Sequence, residues 1–143
     1  MFQINTGSDY AIRYNGRQIF PIAKLLDKSV LENHHIAATF ALLKDESLNI
    51  FKGFSREDYK LVRERMISMV LATDMSSHFP DIAQFKGRLA ADFDMKKDKN
   101  FMMNMIVHSS DISNPFKQWD VCKEWTNRIV TEFFSQVNIK RVK

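Results

Sequence analysis

The stretch Ser29-Val-Leu-Glu-Asn-His-His35, continued by Ile-Ala-Ala-Thr-Phe-Ala-Leu-Leu43, decides how the rest of the chain is read. An acid and two adjacent imidazoles head an otherwise apolar run. Such a run belongs on a core-facing helix, where carboxylates and imidazoles are costly without partners. These groups therefore either satisfy one another or face a site. Ser29 is a candidate N-cap, and Glu32, three residues on, completes a capping box that would account for the acid by itself. Leu31, His35, Ala38 and Leu42 share one helical face. Glu32 and His35 point the same way, and His34 is rotated away from them.

Working outward, the pattern is helical throughout. The chain has 143 residues, 45% hydrophobic and 27% charged, with twelve Phe and eight Met but only four Gly and three Pro. No segment alternates cleanly with β-branched residues, so the expected fold class is all-α, a helical bundle of one domain. Ser55-Arg-Glu-Asp58 opens a second helix carrying Tyr59, Val62, Met66, Met69, Val70 and Thr73, with Arg56, Lys60, Arg63 and Glu64 on its wet side. Pro80 is read as a break and Asp81 as the cap of a helix through Ile82, Phe85, Leu89 and Phe93. Asp94 to Asn100 reads as an exposed charged link. Phe101 to Val107 is an apolar helix that delivers His108-Ser-Ser-Asp111, and Pro115 stops it. The last helix runs from Trp119 to Gln136 with Cys122, Trp125, Ile129 and Phe133 on its apolar face, followed by a frayed tail. Before Ser29, Ser8 can cap a short helix to Tyr14, Asn15-Gly16 is a turn, and Arg17 to Lys28 is a loop interrupted by Pro21.

The net charge of +4 is spread among acids, with no basic face interleaved with aromatics, so no nucleic-acid partner is expected. One cysteine, Cys122, excludes an internal disulfide framework and suits a reducing compartment. No run is long enough to span a membrane and no secretory leader opens the chain, which makes cytoplasmic the default location.

Three polar clusters interrupt apolar helices: Glu32/His34/His35, Thr73/Asp74/Met75 and His108/Asp111/Asn114. Each has an ordinary structural explanation when taken alone, as a cap, a turn or a hydrogen-bonded core histidine. Together they suggest one inward-facing polar pocket, of the kind that holds divalent metals when carboxylate and imidazole ligands converge. A metal-bound water is a nucleophile at neutral pH. Ser/His/Asp nucleophilic catalysis is the weaker alternative, because no Ser lies on a nucleophile-elbow pattern.

The segments Ser29-Val-Leu-Glu-Asn-His-His35, Leu71-Ala-Thr-Asp-Met-Ser76 and His108-Ser-Ser-Asp-Ile-Ser-Asn-Pro115 resemble, in order and spacing, three motifs of the class I 3′,5′-cyclic nucleotide phosphodiesterases. Trp125-Thr-Asn-Arg-Ile129, Glu132-Phe-Phe134, Asn5-Thr-x-Ser8 and Tyr14-Asn15 are similar to further parts of that family. The resemblance implies part of an all-α, HD-type catalytic domain. It implies hydrolysis of cAMP or cGMP to the 5′-monophosphate by a hydroxide held between two divalent metals, zinc and magnesium or manganese. It makes Asp111 a direct metal ligand. Glu32 and Thr73 would hold metal-bound waters, and His35 would order the water network. Asn114 would contact the purine, in the manner of cAMP-accepting members, while Met75 and Trp125 line the pocket.

The sequence departs from the family pattern at three places. The upstream His-Asn-x-x-His and His-Asp…His segments, which supply most ligands of the first metal, have no counterpart. The downstream glutamine that clamps the purine has none either. Residues 16–28 look like an insertion. A zinc needs three or four protein ligands, so the 143 residues alone are expected not to hydrolyse cyclic nucleotides. Their open apolar faces are expected to need the missing catalytic-domain helices or a covering partner. The rival reading is a catalytically dead fragment acting as a helical module that binds a partner or sequesters nucleotide.

Overall fold

The computed structural model describes residues 28–91 and 93–141, with side chains through residue 135. The expected features before Lys28, including the insertion at 16–28, lie outside the described residues. Five α-helices occur: α1 (Val30–Leu42), α2 (Arg56–Leu71), α3 (His78–Ala90), α4 (Lys99–Asp111) and α5 (Trp119–Arg141), with 3-10 turns at Met75–Ser77 and Asn114–Phe116. The described residues contain no strand. The all-α expectation is met. The chain divides into two compact units, with the boundary between His108 and Ser109 in the last turn of α4.

In the first unit α1 packs on α2, where the Arg63 guanidinium lies 3.8 Å from the centre of the Phe40 ring. Both helices start near the expected residues, but they are capped differently. Ser55 caps α2 as the sequence predicts: its hydroxyl accepts from Asp58 N–H at 3.0 Å and donates to the Asp58 carboxylate at 2.8 Å. Ser29 does not cap α1 with its side chain. It is left-handed, at φ 45° and ψ 45°, a conformation that costs an L-residue about 1–2 kcal/mol. Its hydroxyl donates instead to Asp74, at 2.6 Å. The capping box expected at Ser29 and Glu32 is thus replaced by a long-range bond.

Burial along α1 also departs from the face drawn from its sequence. Val30, Leu31 and Glu32 are buried, yet His35 is exposed, His34 is half-buried and Leu42 is 61% exposed. Of the stripe only Leu31, in the first turn where Ser29 is tied to Asp74, is buried, and Ala38 is half-buried. Val30 and Leu31, at 3% and 6% exposure, are the only buried large apolar side chains among the described residues.

Three other boundaries correct the sequence reading. Helix α3 begins at His78 and runs through Pro80. Proline is tolerated in a first turn because that N–H has no intrahelical acceptor to lose. Asp81 therefore sits in that turn and is not the cap. The link before α4 is not wholly exposed: Asp98 is buried, pairs with Arg88 and accepts from Asp94 N–H at 3.1 Å. In the second unit, α5 continues to Arg141 beyond the expected end.

Candidate functional site

The first unit assembles a polar junction from two of the three clusters. Helix α2 ends at Leu71, and the Thr73 hydroxyl turns back to donate to the Val70 carbonyl at 2.8 Å. That spends the Thr73 hydrogen and leaves its oxygen able to accept. Asp74 follows as the N-cap of the 3-10 turn, accepting from Ser76 N–H at 2.8 Å, while its own carbonyl accepts from the Ser77 hydroxyl at 2.9 Å. Asp74 is buried, at 6% exposure. Burial pushes its carboxyl up, but the Ser29 hydroxyl and the Ser76 N–H and hydroxyl outweigh that and hold it below the usual carboxylate range. Met75 is half-buried at the start of the turn.

The Ser29–Asp74 bond joins residues 45 apart and draws the first turn of α1, with the buried Glu32, toward the Thr73–Met75 turn. Asp74 is the residue that sequence reasoning undervalued. It was visible as a cap, but only the fold shows that its second oxygen receives Ser29. His35 lies on the exposed side of α1, and its carbonyl accepts from the Thr39 hydroxyl at 2.8 Å.

Behind this turn, His108 is the least exposed of the described residues, at 2%. Its Nδ1 lies 2.8 Å from the Ala72 carbonyl oxygen and its Nε2 lies 2.8 Å from His78 Nδ1. The sequence singled out His108 as part of a cluster, but its partner, His78, carried no signal apart from being a histidine.

The second unit carries Asp111, Asn114 and Trp125. Asp111 ends α4 and is half-buried. Pro115 starts a 3-10 turn with Asn114, as the expected stop signal requires. The Asn114 amide nitrogen donates to the Cys122 carbonyl and to the Thr126 hydroxyl oxygen, each at 3.2 Å. Because a backbone carbonyl can only accept, the amide nitrogen must face it and the orientation of the side chain is fixed. Asn114 Oδ1 is buried and has no hydrogen-bond partner. Trp125 is 47% exposed, with the Arg128 guanidinium 5.5 Å from its ring centre.

A cleft of about 130 Å³ lies in the first unit, lined by Leu61, Arg65 and Ser68 of α2 and by Asn100, Met103 and Asn104 of α4. It contains none of the expected site residues. Its polar side chains bond across it, with the Asn104 amide donating to the Ser68 hydroxyl oxygen at 2.9 Å.

No group of three or more His, Cys, Asp or Glu side chains converges among the described residues. A zinc centre needs three or four ligands, so these residues do not fit a complete metal site by themselves. Asp111 offers one carboxylate at the end of α4.

Comparison with known proteins gives consistent results. A sequence model of the 3′5′-cyclic nucleotide phosphodiesterases matches residues 1–143. A probable 3′,5′-cyclic phosphodiesterase of Caenorhabditis elegans is 39% identical over 139 residues, covering 97% of this chain and 19% of the relative. The human dual specificity calcium/calmodulin-dependent 3′,5′-cyclic nucleotide phosphodiesterase 1B is 40% identical over 135 residues, covering 94% of this chain and 23% of the relative. Among solved structures, the phosphodiesterase domain of the RhoPDE fusion protein of the choanoflagellate Salpingoeca rosetta superposes with a TM-score of 0.77 at 28% identity. That match covers 96% of this chain and 42% of the other. The chain thus spans about a fifth of the length of these curated relatives.

Proposed function

Because the chain belongs to the 3′,5′-cyclic nucleotide phosphodiesterase family, we propose that it supplies part of the catalytic domain of an enzyme that hydrolyses cyclic nucleotides to 5′-monophosphates. The observation that carries the reading is the Ser29–Asp74 bond, which ties two motif segments 45 residues apart into one junction. In the assembled domain Asp111 contributes a carboxylate to a divalent-metal centre, zinc and magnesium by family resemblance. By the same resemblance Glu32 and Thr73 hold metal-bound waters, and His35 orders the water network. The Thr73 oxygen suits this role, since its hydrogen is already given to Val70. Hydrolysis of a phosphodiester rests mainly on positioning and charge neutralisation, so residues that orient water contribute to rate.

By the same resemblance Met75 and Trp125 are nucleotide-pocket residues, and Asn114 reads the purine. With its amide nitrogen committed to Cys122 and Thr126, only Asn114 Oδ1 is left to bond a base. An acceptor suits the exocyclic amine of adenine and not the carbonyl of guanine, which favours cAMP by about tenfold, the worth of one net hydrogen bond.

The test replaces the matching segment of the Salpingoeca rosetta phosphodiesterase domain with residues 29–141 and assays both nucleotides with zinc and magnesium. The graft should turn over cAMP, and Asp111→Asn should reduce its rate at least a hundredfold, whereas the 143-residue chain alone should be inactive. A folded but inactive graft, or an Asp111→Asn graft at full rate, breaks the reading. The first of these results favours the second reading, a non-catalytic helical partner-binding module. That reading draws on the exposed Phe79, Phe116 and Trp119, at 80%, 92% and 72%.

A further inference from the structure

We propose that His78 and His108 form a proton-operated latch that holds the first turn of α3 against α4 and opens when both imidazoles are charged. The hydrogen positions follow from the contacts. A carbonyl only accepts, so His108 Nδ1, 2.8 Å from the Ala72 oxygen, carries a hydrogen. A neutral imidazole has one N–H, so His108 Nε2 is a bare acceptor. His78 Nδ1, 2.8 Å away, must then be the donor. The polarity runs one way, from His78 through His108 to Ala72, and links α3, α4 and the end of α2.

Protonation states sort by whether one hydrogen can lie between the two facing nitrogens. The neutral pair has one. A pair with one added proton still has one, whichever ring is the cation. A doubly charged pair has two, pointing at each other across 2.8 Å. His108 cannot relieve the clash by turning, because it is 2% exposed and its other nitrogen is held by Ala72. His78 is the freer partner. It is half-buried, edge-on to the largely exposed Phe79 ring at 5.1 Å, and belongs to the first residue of α3. A cation there also meets the positive end of the α3 dipole. The contact therefore opens on the His78 side, and the turn Met75–Ser77, which packs on α3, loosens with it.

Other charges on these elements do not replace the lost hydrogen bond. The Asp74 carboxylate is already committed to Ser29 and Ser76. Asp81 lies one turn further along α3, and Asp111 one turn beyond His108 on α4. Residues 66–73, at the end of α2 and its cap, contain no titratable side chain. Histidine is the side chain that most readily gains a proton on mild acidification, so acid is the trigger to test.

Hydrogen exchange measured by mass spectrometry on the full chain tests this, with rates corrected for the intrinsic effect of pH. Peptides covering Met75–Asp81 should exchange about fivefold or more faster at about pH 5 than at about pH 7.5, while the interior of α2 should not change. In His78→Asn the amide can donate to His108 or accept from it, so the contact survives both states and the acid response disappears. Equal protection of the wild-type segment at both pH values overturns the latch, and so does acid opening of His78→Asn to the wild-type extent. Should that variant not fold, nitrogen-15 NMR of the wild-type histidines decides. His108 must be the Nδ1–H tautomer at neutral pH, and both rings must be doubly protonated in acid. An Nε2–H His108 at neutral pH, or a pair still sharing one hydrogen in acid, overturns it.

Discussion

The turn at Asp74 and the segment from Asn114 to Trp125 carry the same kinds of side chain and treat them in opposite ways. Around Asp74, donors and acceptors consume one another: Ser29, Ser76 and Asp74 close one group, Thr73 returns to Val70, and His108 bridges Ala72 and His78. Around Asn114 the amide nitrogen is used twice while the buried oxygen is left open, and the neighbouring Trp125 is half exposed. A closed network stabilises the fold, because each member would be costly to leave buried alone. A buried acceptor without a partner instead costs stability, a cost that a donor supplied from outside these residues would remove. Substitutions in the two regions should therefore separate effects on stability from effects on binding.

The largest effect is expected at Asp74. Asp74→Ala leaves the Ser29 hydroxyl and the Ser76 N–H without their acceptor and removes the bond that offsets the left-handed Ser29. It should cost about 3 kcal/mol, read from urea unfolding of the chain. The same carboxylate sets an acid limit. Its folded-state pKa is depressed, so its contribution is full above the unfolded value, about 3.9. The contribution is lost as pH falls through the folded value below that. Stability from this source should be flat from neutral pH to about 5 and fall only below about 4, and Asp74→Asn should abolish that fall. A decline that begins above that range would instead belong to the latch.

Next in size is Asn114→Ala, which gives up the bonds to Cys122 and Thr126. It should cost about 1 kcal/mol in the same unfolding measurement. In the grafted domain it should also lower kcat/KM for cAMP more than for cGMP, as expected of a base reader. Equal losses for the two nucleotides would place Asn114 with the closed network. The smallest effect on the fold is expected from Trp125→Ala, within about 0.5 kcal/mol because the ring is half in solvent. Its KM for nucleotide in the grafted domain should nevertheless rise. A large loss of stability there would erase the contrast between the two regions.

Much of the fold was legible because local rules fix it. Helical spacing marked α2, the Ser55 cap started it where expected, and Pro115 stopped α4 before Asn114. Local rules failed where a group found a distant partner. Ser29 reads as a cap, and becomes one half of a bond to Asp74. Asp94 to Asn100 reads as an open link, yet Asp98 is drawn in by Arg88. The His35 side of α1 reads as a buried stripe, but burial also needs a second surface, and among the described residues that side is only partly covered after Glu32. Pro80 misled for a simpler reason: its meaning depends on whether it falls inside a helix or in its first turn.

The sequence by itself determined the helical class, several of the helix ends and the motif residues that place the chain in its family. All of these depend on side chains within one or two helical turns of each other, or on an order along the chain. Only the tertiary structure decided which of those residues hold one another and which remain open to a partner. Ser29 with Asp74 and His78 with His108 are 45 and 30 residues apart. No local propensity encodes such pairs, because each is selected by the packing that brings its two helices together.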